Sequence, residues 1–201
     1  MADIKVNKSN ETLITTWYLD YQGPVAQAVT WPMGVQVVEA EIACPELNQF
    51  LFRTVGGPWR WYSRLNWTYQ QWQTYLEQQQ VRTWLLWNKG TPAGYIELVK
   101  HQDNSVEIMF FGLLPQFVGQ GLGAKLAQHA IYLAYAWQAT KVWLHTCSAD
   151  HPAALHNYQK VGFVITSSQD ALEQLPGADD KQLLTEHFVY SALAFHTESA
   201  G

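Results

Sequence analysis

The residues best suited to chemistry lie in a short glycine-rich turn between an apolar run and a long amphipathic segment. Glycines occupy alternate positions in this turn, at Gly119, Gly121 and Gly123. Residues without side chains let backbone N–H groups approach a phosphate closely. The helix expected after the turn adds unpaired N–H groups and the positive end of its dipole. The turn therefore predicts a binding site for a diphosphate.

Two other nucleotide-binding motifs fit this turn poorly. A P-loop requires Gly-Lys-Ser/Thr after its second glycine, and neither the lysine nor the hydroxyl residue follows Gly121. A dinucleotide-binding turn reads Gly-x-Gly-x-x-Gly and needs an acidic residue about twenty positions further on. This chain has Lys141 and His145 there, around Trp143. A tight turn without a ligand remains as the structural alternative.

The flanking sequence predicts the elements that position the turn. Residues 106–114 form a nearly continuous apolar run that ends at Pro115, as expected of a central strand buried on both faces. The elements predicted after the turn are a helix over 122–137, a strand over 141–146, a helix opened by Pro152 and ended by Gly162, and a strand over 163–166.

Two local signatures accompany this order of elements. The first is Q/R-x-x-G-x-G/A, matched by Gln116, Gly119 and Gly121, and the second is Tyr-x-x-x-Gly-Phe, matched by Tyr158, Gly162 and Phe163. On these residues the chain resembles the GNAT superfamily of acyl-CoA-dependent N-acetyltransferases, over about residues 81–166. Blocks around Trp59, Trp143 and Asp150 look like those of an uncharacterised bacterial subgroup. The subgroup resemblance fixes no substrate.

The resemblance implies an α/β fold: one GNAT-like domain built on a mixed, splayed β-sheet with helices on both faces. Its parts would be an N-terminal strand and helices on the acceptor side (1–80), an acyl-CoA-binding core (81–166), and a C-terminal strand and tail (167–201). Two central parallel strands, here 106–114 and 141–146, splay apart in this architecture. The acyl thioester would enter the opening between them.

The implied activity is transfer of an acetyl group from acetyl-CoA to an amine, by direct attack in a ternary complex. The acceptor would be a small-molecule or peptide amine, whose identity and acyl-chain preference the sequence does not specify. The alternative is a non-catalytic module on the same fold that senses acyl-CoA or serves in an assembly. Val118, where many members carry Arg, supports that alternative, and Tyr158 weighs against it.

The resemblance assigns acetyl-CoA to residues of the turn and of the later helix. They are Leu113, Gln116, Val118, Gly119, Gln120, Gly121, Leu122, Gly123, Ala124, His151 and Tyr158. Because Val118 carries no charge, affinity for the diphosphate would depend on N–H groups, the helix dipole and Lys125. His151 occupies a position often held by an Asn that touches the cofactor, and its imidazole can also donate or accept a hydrogen bond.

Two residues are the candidates for proton transfer. Tyr158 would protonate the leaving thiolate, since a phenol has a pKa similar to that of a thiol; the alternative is a packing tyrosine whose hydroxyl bonds to the backbone. Glu107 is the only acid in its apolar run and is the candidate general base, directly or through water. A strand-end Glu facing solvent is the alternative. A backbone N–H near Leu113 would stabilise the oxyanion.

Aromatic residues after the first predicted helix are candidates for binding the acceptor. Trp59, Trp61 and Tyr62 lie where such folds commonly line the acceptor pocket, and aromatic walls suit an apolar or cationic group. A satellite hydrophobic cluster under a long loop is the alternative interpretation.

A group of His and Cys residues invites two further interpretations, neither of which is favoured. His145, Cys147, His151 and His156 lack a recognised zinc-ligand spacing. A Cys147–His145 nucleophile pair would start from alternate strand positions about 7 Å apart, too far for ready activation. Packing on the strand and at the helix cap is the better account, and no metal is expected.

The remaining elements are predicted from periodicity and turn residues. They are a strand over 11–20, a loop over 21–34, a strand or irregular segment over 36–43, helices over 45–55 and 68–80, a hairpin of 82–89 with 91–100, and a last strand over 187–195.

Composition excludes some classes of function. A net charge of −5 argues against a nucleic-acid partner. The ten tryptophans indicate either internal aromatic packing or a surface for a dimer mate or an apolar substrate, so a homodimer is compatible with them. Two cysteines define no disulfide framework. No signal peptide and no membrane-spanning run are recognised, which leads us to expect a cytoplasmic bacterial protein.

Overall fold

The computed structural model describes residues 11–24, 26–59 and 61–174. Its strands are β1 (Glu11–Tyr21), β2 (Val35–Glu39), β3 (Val81–Asn88), β4 (Thr91–Lys100), β5 (Ser105–Leu113), β6 (Lys141–Cys147) and β7 (Phe163–Gln174). Its α-helices are α1 (Pro45–Gly56), α2 (Tyr69–Leu76), α3 (Leu122–Ala136) and α4 (Ala154–Lys160). The strands form one seven-stranded sheet in the order β2-β3-β4-β5-β6-β1-β7.

Helices cover both faces of this sheet, as the sequence predicted. On one face, Ile96 and Leu98 of β4 are buried in the same cluster as Leu126 and Ala130 of α3. On the other face, Tyr95 of β4 packs in a second cluster that includes Leu51 and Val55 of α1. Alternate residues of one strand therefore contribute to two cores, which explains the nearly continuous apolar sequence of the central strands.

The two central parallel strands separate soon after they pair. β5 and β6 are in register only from Ser105 opposite Lys141 to Glu107 opposite Trp143. Beyond Glu107, β5 continues beside β4 as far as Leu113 opposite Gly94. The divergence opens the sheet beside the second half of β5 and exposes its edge toward β6.

The first strand lies within the second half of the sheet. β1 is antiparallel both to β6 and to β7, with Tyr18 opposite His145 and Thr16 opposite Cys147. Its strand character was predicted, but its neighbours were not, because they lie more than a hundred residues away along the chain. As a result, residues of the N-terminal part stand beside the opening between β5 and β6.

A two-residue turn joins β3 to β4, as predicted. Lys89 and Gly90 both have positive φ, at 50° and 80°. Such a turn matches the right-handed twist of the two strands that it connects. The Gly90 backbone is therefore left-handed for a reason unrelated to ligand binding.

Several predicted boundaries were wrong. α2 begins after a capping box formed by Thr68 and Gln71 and ends at Leu76 rather than at residue 80. α4 begins at Ala154 rather than at Pro152, because the preceding turn is held by the bond from Ala153 N–H to His151. β7 continues to Gln174, well past residue 166, because it pairs along the whole of β1.

The segment over 36–43, left open between strand and irregular structure, is a strand as far as Glu39. The strand predicted over 187–195 lies outside the described residues. Among the helices within the described ranges, none combines the length and the apolar character needed to cross a bilayer.

Candidate active site

The glycine turn is a left-handed loop held open at its centre. Gly119 and Gly121 have φ of 82° and 74°, a region that side chains disfavour. A Cβ placed on either glycine would meet no atom within 4 Å, so the space above the loop is empty of protein. Among the described residues, the N–H groups of Gly119, Gln120 and Gly121 have no hydrogen-bond acceptor.

Buried side chains on both sides fix the loop in this position. Phe117 ends a short 3-10 turn and is buried in the main core, and Leu122 begins α3 and is buried in the same cluster. Gly121 is the N-cap of α3 and offers no side-chain cap. The first N–H groups of the helix and its dipole therefore face the open space, as an anion site requires.

A cleft of about 340 Å³ adjoins this loop. Of the residues predicted to bind acetyl-CoA, its lining includes Leu113, Val118, Gly119, Gly121, Gly123, Ala124, His151 and Tyr158. The other three lie apart from it: Gln116 is exposed, the Gln120 amide folds back onto the Gln116 carbonyl at 2.8 Å, and the Leu122 side chain is in the core.

A second cleft, of about 290 Å³, lies beyond the end of the first. Its lining includes the predicted acceptor residues Trp59, Trp61 and Tyr62. Five residues line both clefts, namely Trp59, Trp61, Phe111, Asp150 and Tyr158. The two clefts thus meet at Tyr158, in the opening between the diverging strands.

Trp61 is consistent with both interpretations of the aromatic residues after α1, as a wall of the acceptor site and as part of a packed hydrophobic cluster. Its ring lies 4.9 Å from that of Phe110 and 5.8 Å from that of Phe52, so it belongs to an aromatic cluster beneath the loop. The same ring lines the two clefts. A packed aromatic side chain of this kind forms a rigid wall for a ligand.

The Tyr158 hydroxyl is available for chemistry. Its ring is held between Phe111 and Phe163, each with centroids 6.1 Å away. Across the described residues, nothing forms a hydrogen bond with the hydroxyl, whereas a purely packing role would give it a backbone partner. Burial raises the pKa of Tyr158 well above its ordinary value, and the nearby Asp150 charge raises it further. The phenol is therefore a proton donor throughout the neutral pH range.

Asp150 is a site residue that sequence reasoning missed as a participant. Its carboxylate accepts hydrogen bonds from the Thr146 hydroxyl at 2.9 Å and from the His151 N–H at 2.8 Å. These bonds fix the turn between β6 and α4 and hold the negative charge beside Tyr158. Its position in the turn was visible in the sequence, but no pattern distinguished it from an ordinary turn residue.

His151 combines a structural bond with a donor that is available to a ligand. Its Nδ1 accepts the Ala153 N–H at 2.9 Å, so Nε2 carries the ring proton of the neutral form. The ring contacts Trp59 with centroids 4.5 Å apart. Because His151 lines the first cleft, its Nε2–H can donate to a ligand there.

Glu107 is buried, which contradicts the solvent-facing alternative. Its carboxylate lies 2.9 Å from Nδ1 of His145 and 3.0 Å from Nε2 of His101. Of the residues that line the two clefts, His145 is included and Glu107 is not. Glu107 therefore faces the second cleft only through the His145 ring.

Two other side chains bear on the earlier interpretations. Lys125 turns away from the loop and donates to the Thr30 carbonyl at 3.1 Å, so it does not reach the first cleft. Burial raises the pKa of the Cys147 thiol, which disfavours the thiolate that a nucleophile requires. Within the described part of the chain, no group of three or more His, Cys, Asp or Glu is placed to hold a metal ion.

Comparison with known proteins identifies the family to which this fold and site belong. The profile of the Acetyltransferase (GNAT) family matches residues 43–163, and the chain is a member of that family. An uncharacterized N-acetyltransferase from Mycobacterium tuberculosis is 32% identical over 80 residues, which are 40% of this chain and 51% of that protein. One from Mycobacterium bovis matches to the same extent. The match spans about half the length of these curated relatives.

Solved structures show the same fold at low sequence identity. A GCN5-related N-acetyltransferase from Sphaerobacter thermophilus has a TM-score of 0.58 and 15% sequence identity. The match covers 82% of this chain and 53% of the chain of that protein. A Bacillus subtilis acetyltransferase in complex with CoA has a TM-score of 0.50 and 22% sequence identity. This match covers 66% of this chain and 78% of the chain of that protein.

Proposed function

We propose that this protein transfers an acetyl group from acetyl-CoA to an amine in a ternary complex. The observation that carries the proposal is the meeting of two clefts at Tyr158. One cleft begins at an open, glycine-lined loop suited to a diphosphate, and the other is walled by aromatic side chains. Two substrates bound in these clefts would bring their reacting atoms together beside one proton donor.

The first cleft would hold acetyl-CoA. The free N–H groups of Gly119, Gln120 and Gly121 and the α3 N-terminus would bind the diphosphate. The edge of β5 that β6 leaves open would pair with the amide-bearing arm of the cofactor. A main-chain N–H near Leu113 would stabilise negative charge on the acetyl oxygen. The CoA complex of the Bacillus subtilis neighbour supports this choice of ligand.

Tyr158 would act at the thioester. Because burial raises its pKa, the hydroxyl stays protonated and can donate its proton to the departing sulfur. Asp150 would stabilise positive charge on the attacking nitrogen, since its carboxylate borders both clefts. Glu107 would assist the loss of the acceptor's proton before attack only indirectly, because it does not line the acceptor cleft.

The second cleft favours an amine carried on a small apolar or aromatic body. Tyr18, Trp59, Trp61, Phe110 and Phe111 supply apolar walls, and such rings also attract cations. The volume of about 290 Å³ is at the small end of the range for ligand sites.

Release of free thiol from acetyl-CoA tests the proposal. The assay compares 2-phenylethylamine, tryptamine, spermidine, free amino acids and a short peptide with a reaction that contains no amine. We expect at least one amine to raise thiol release well above the amine-free rate. If acetyl-CoA binds and no amine raises the rate, the protein is a non-catalytic acyl-CoA-binding module on the same fold.

A further inference from the structure

The Glu107 carboxylate is buried behind the acceptor cleft, and two histidine rings bind it. Each oxygen is engaged, one by His145 and the other by His101. Only 4% of its side chain is exposed. A carboxylate held in this way cannot contact an amine in the cleft, so any proton that it influences must pass through another group.

His145 is placed to be that group. It lies on β6, two residues past Trp143, and Trp143 is the residue opposite Glu107 where β5 and β6 pair. The side chains of His145 and Glu107 are therefore diagonal neighbours on one face of the sheet. Its side chain is 41% exposed and lines the acceptor cleft. An ionised carboxylate only accepts hydrogen bonds, so Nδ1 carries the proton and Nε2 has a free lone pair.

We propose that Nε2 of His145 removes the proton from the acceptor ammonium, and that Glu107 is a positioning residue that orients the ring and stabilises its protonated form. This inference rests on the proposed acetyl transfer. The arrangement follows the logic by which a buried carboxylate fixes the tautomer of a histidine base in hydrolases. His101 holds the second oxygen of Glu107 and so keeps the carboxylate from rotating away.

The protons balance as follows. His145 takes one proton from the ammonium, and the neutral amine then forms a C–N bond with the acetyl carbon while the C–S bond breaks. Tyr158 gives its proton to the departing sulfur and regains one from the attacking nitrogen. His145 passes its proton to water, to which its exposed ring has access. The products are an amide, the free thiol of CoA and one released proton.

Other titratable groups around His145 will shape its pH dependence. Tyr18 of β1 lies opposite it, with ring centroids 6.0 Å apart. Glu107 binds it, Tyr62, Cys147, Asp150, Tyr158 and Glu173 share its cleft, and His101 contacts the other oxygen of Glu107. The carboxylates among them would attract a cationic acceptor into the cleft.

The test compares pH–rate profiles of kcat/KM for the most active amine of the thiol-release panel. We expect His145→Asn to lower this ratio about 100-fold at pH 7. The deficit should shrink toward pH 10, where the amine loses its proton without help. His156→Asn is the matched control, because His156 is exposed on α4 and lines neither cleft. It should retain the wild-type profile.

A second pair of variants separates positioning from direct action. Glu107→Gln should lower the rate, and Glu107→Gln combined with His145→Asn should be no slower than His145→Asn alone. Losses that multiply would overturn the positioning role, because Glu107 would then act independently of His145.

The outcomes also distinguish this inference from the proposed function. If both His145→Asn and His145→Gln keep wild-type kinetics and the same rise in melting temperature with acetyl-CoA, the role of His145 is overturned. The proposed acetyl transfer is not affected by that result. Using two substitutions prevents a folding defect of either one from deciding the result. Absence of amine-dependent turnover in the wild type would overturn acetyl transfer, and the inference with it.

Discussion

The Arg64 guanidinium lies 2.9 Å from a carboxylate oxygen of Glu97, with the two side chains only 6% and 1% exposed. Tyr75 donates to the same carboxylate at 2.7 Å, and the guanidinium lies over the rings of Tyr75 and Phe110. This pair ties the segment after Trp61 to β4, directly beneath the aromatic wall of the acceptor cleft.

Removing one member of this buried pair should destabilise the protein strongly. We expect Arg64→Met to lower the free energy of unfolding by about 3–5 kcal/mol, because it leaves the Glu97 charge buried without its partner. Urea denaturation measures the loss. Arg82→Met is the control: the Arg82–Glu39 pair is 3.7 Å long and 42% and 33% exposed, so its removal should cost about 1 kcal/mol or less. Equal losses in the two variants would contradict this account.

Gly121→Leu should abolish binding of acetyl-CoA without unfolding the protein. The substitution places a side chain in the open space above the loop and strains a backbone with φ of 74° by about 1–2 kcal/mol. Gly90→Leu is the matched control, since its φ is 80° and its Cβ also meets open space, but it lies in the β3–β4 turn. Both variants should lose similar stability. Acetyl-CoA should raise the melting temperature of Gly90→Leu only, and a rise in both would refute the diphosphate site.

Tyr158→Phe should separate turnover from binding. Without its hydroxyl, the variant cannot protonate the departing sulfur, and we expect kcat to fall about 100-fold. The affinity for CoA, measured by calorimetry, should change little because the ring keeps its contacts with Phe111 and Phe163. Tyr132→Phe, on α3 and outside both clefts, is the control. Full activity in Tyr158→Phe would remove this residue from the mechanism.

Alkaline titration should reveal three phenols with a raised pKa, of which Tyr95 is buried and Tyr75 and Tyr158 are half-buried. Burial is the main cause that raises the pKa of Tyr75, Tyr95 and Tyr158. The folded state therefore binds these protons more tightly than the unfolded state, in which tyrosine has a pKa of about 10. Their contribution to stability is complete below pH 10 and is lost as pH rises above it. Absorbance at 295 nm should show these phenolates appearing only as the protein unfolds; their ionisation in the folded protein would contradict the burial.

The parts of the site that depend on local sequence could be predicted. Gly119 and Gly121 were singled out as residues without side chains in a turn before a helix, and both have positive φ. Tyr158 was identified from a motif within one short helix and the glycine that follows it. In these cases, the residues that carry the signal are neighbours along the chain.

The parts that depend on distant pairing could not be predicted. Nothing in residues 11–21 indicates that this strand lies between β6 and β7, which brings Tyr18 to His145. Glu107 was singled out as an unusual acid in an apolar strand, but its two histidine partners follow from the register of β5 and β6. Strand pairing is decided by tertiary packing, and a single sequence does not show it.

The central claim is that the loop at Gly119–Gly121 binds the diphosphate of CoA and thereby directs the thioester to Tyr158. A crystal structure of the protein grown with CoA tests it most directly. The account predicts diphosphate oxygens within about 3 Å of the loop N–H groups, with the thiol at the junction of the two clefts. A well-occupied CoA molecule bound elsewhere, or a diphosphate out of reach of these N–H groups, would contradict it.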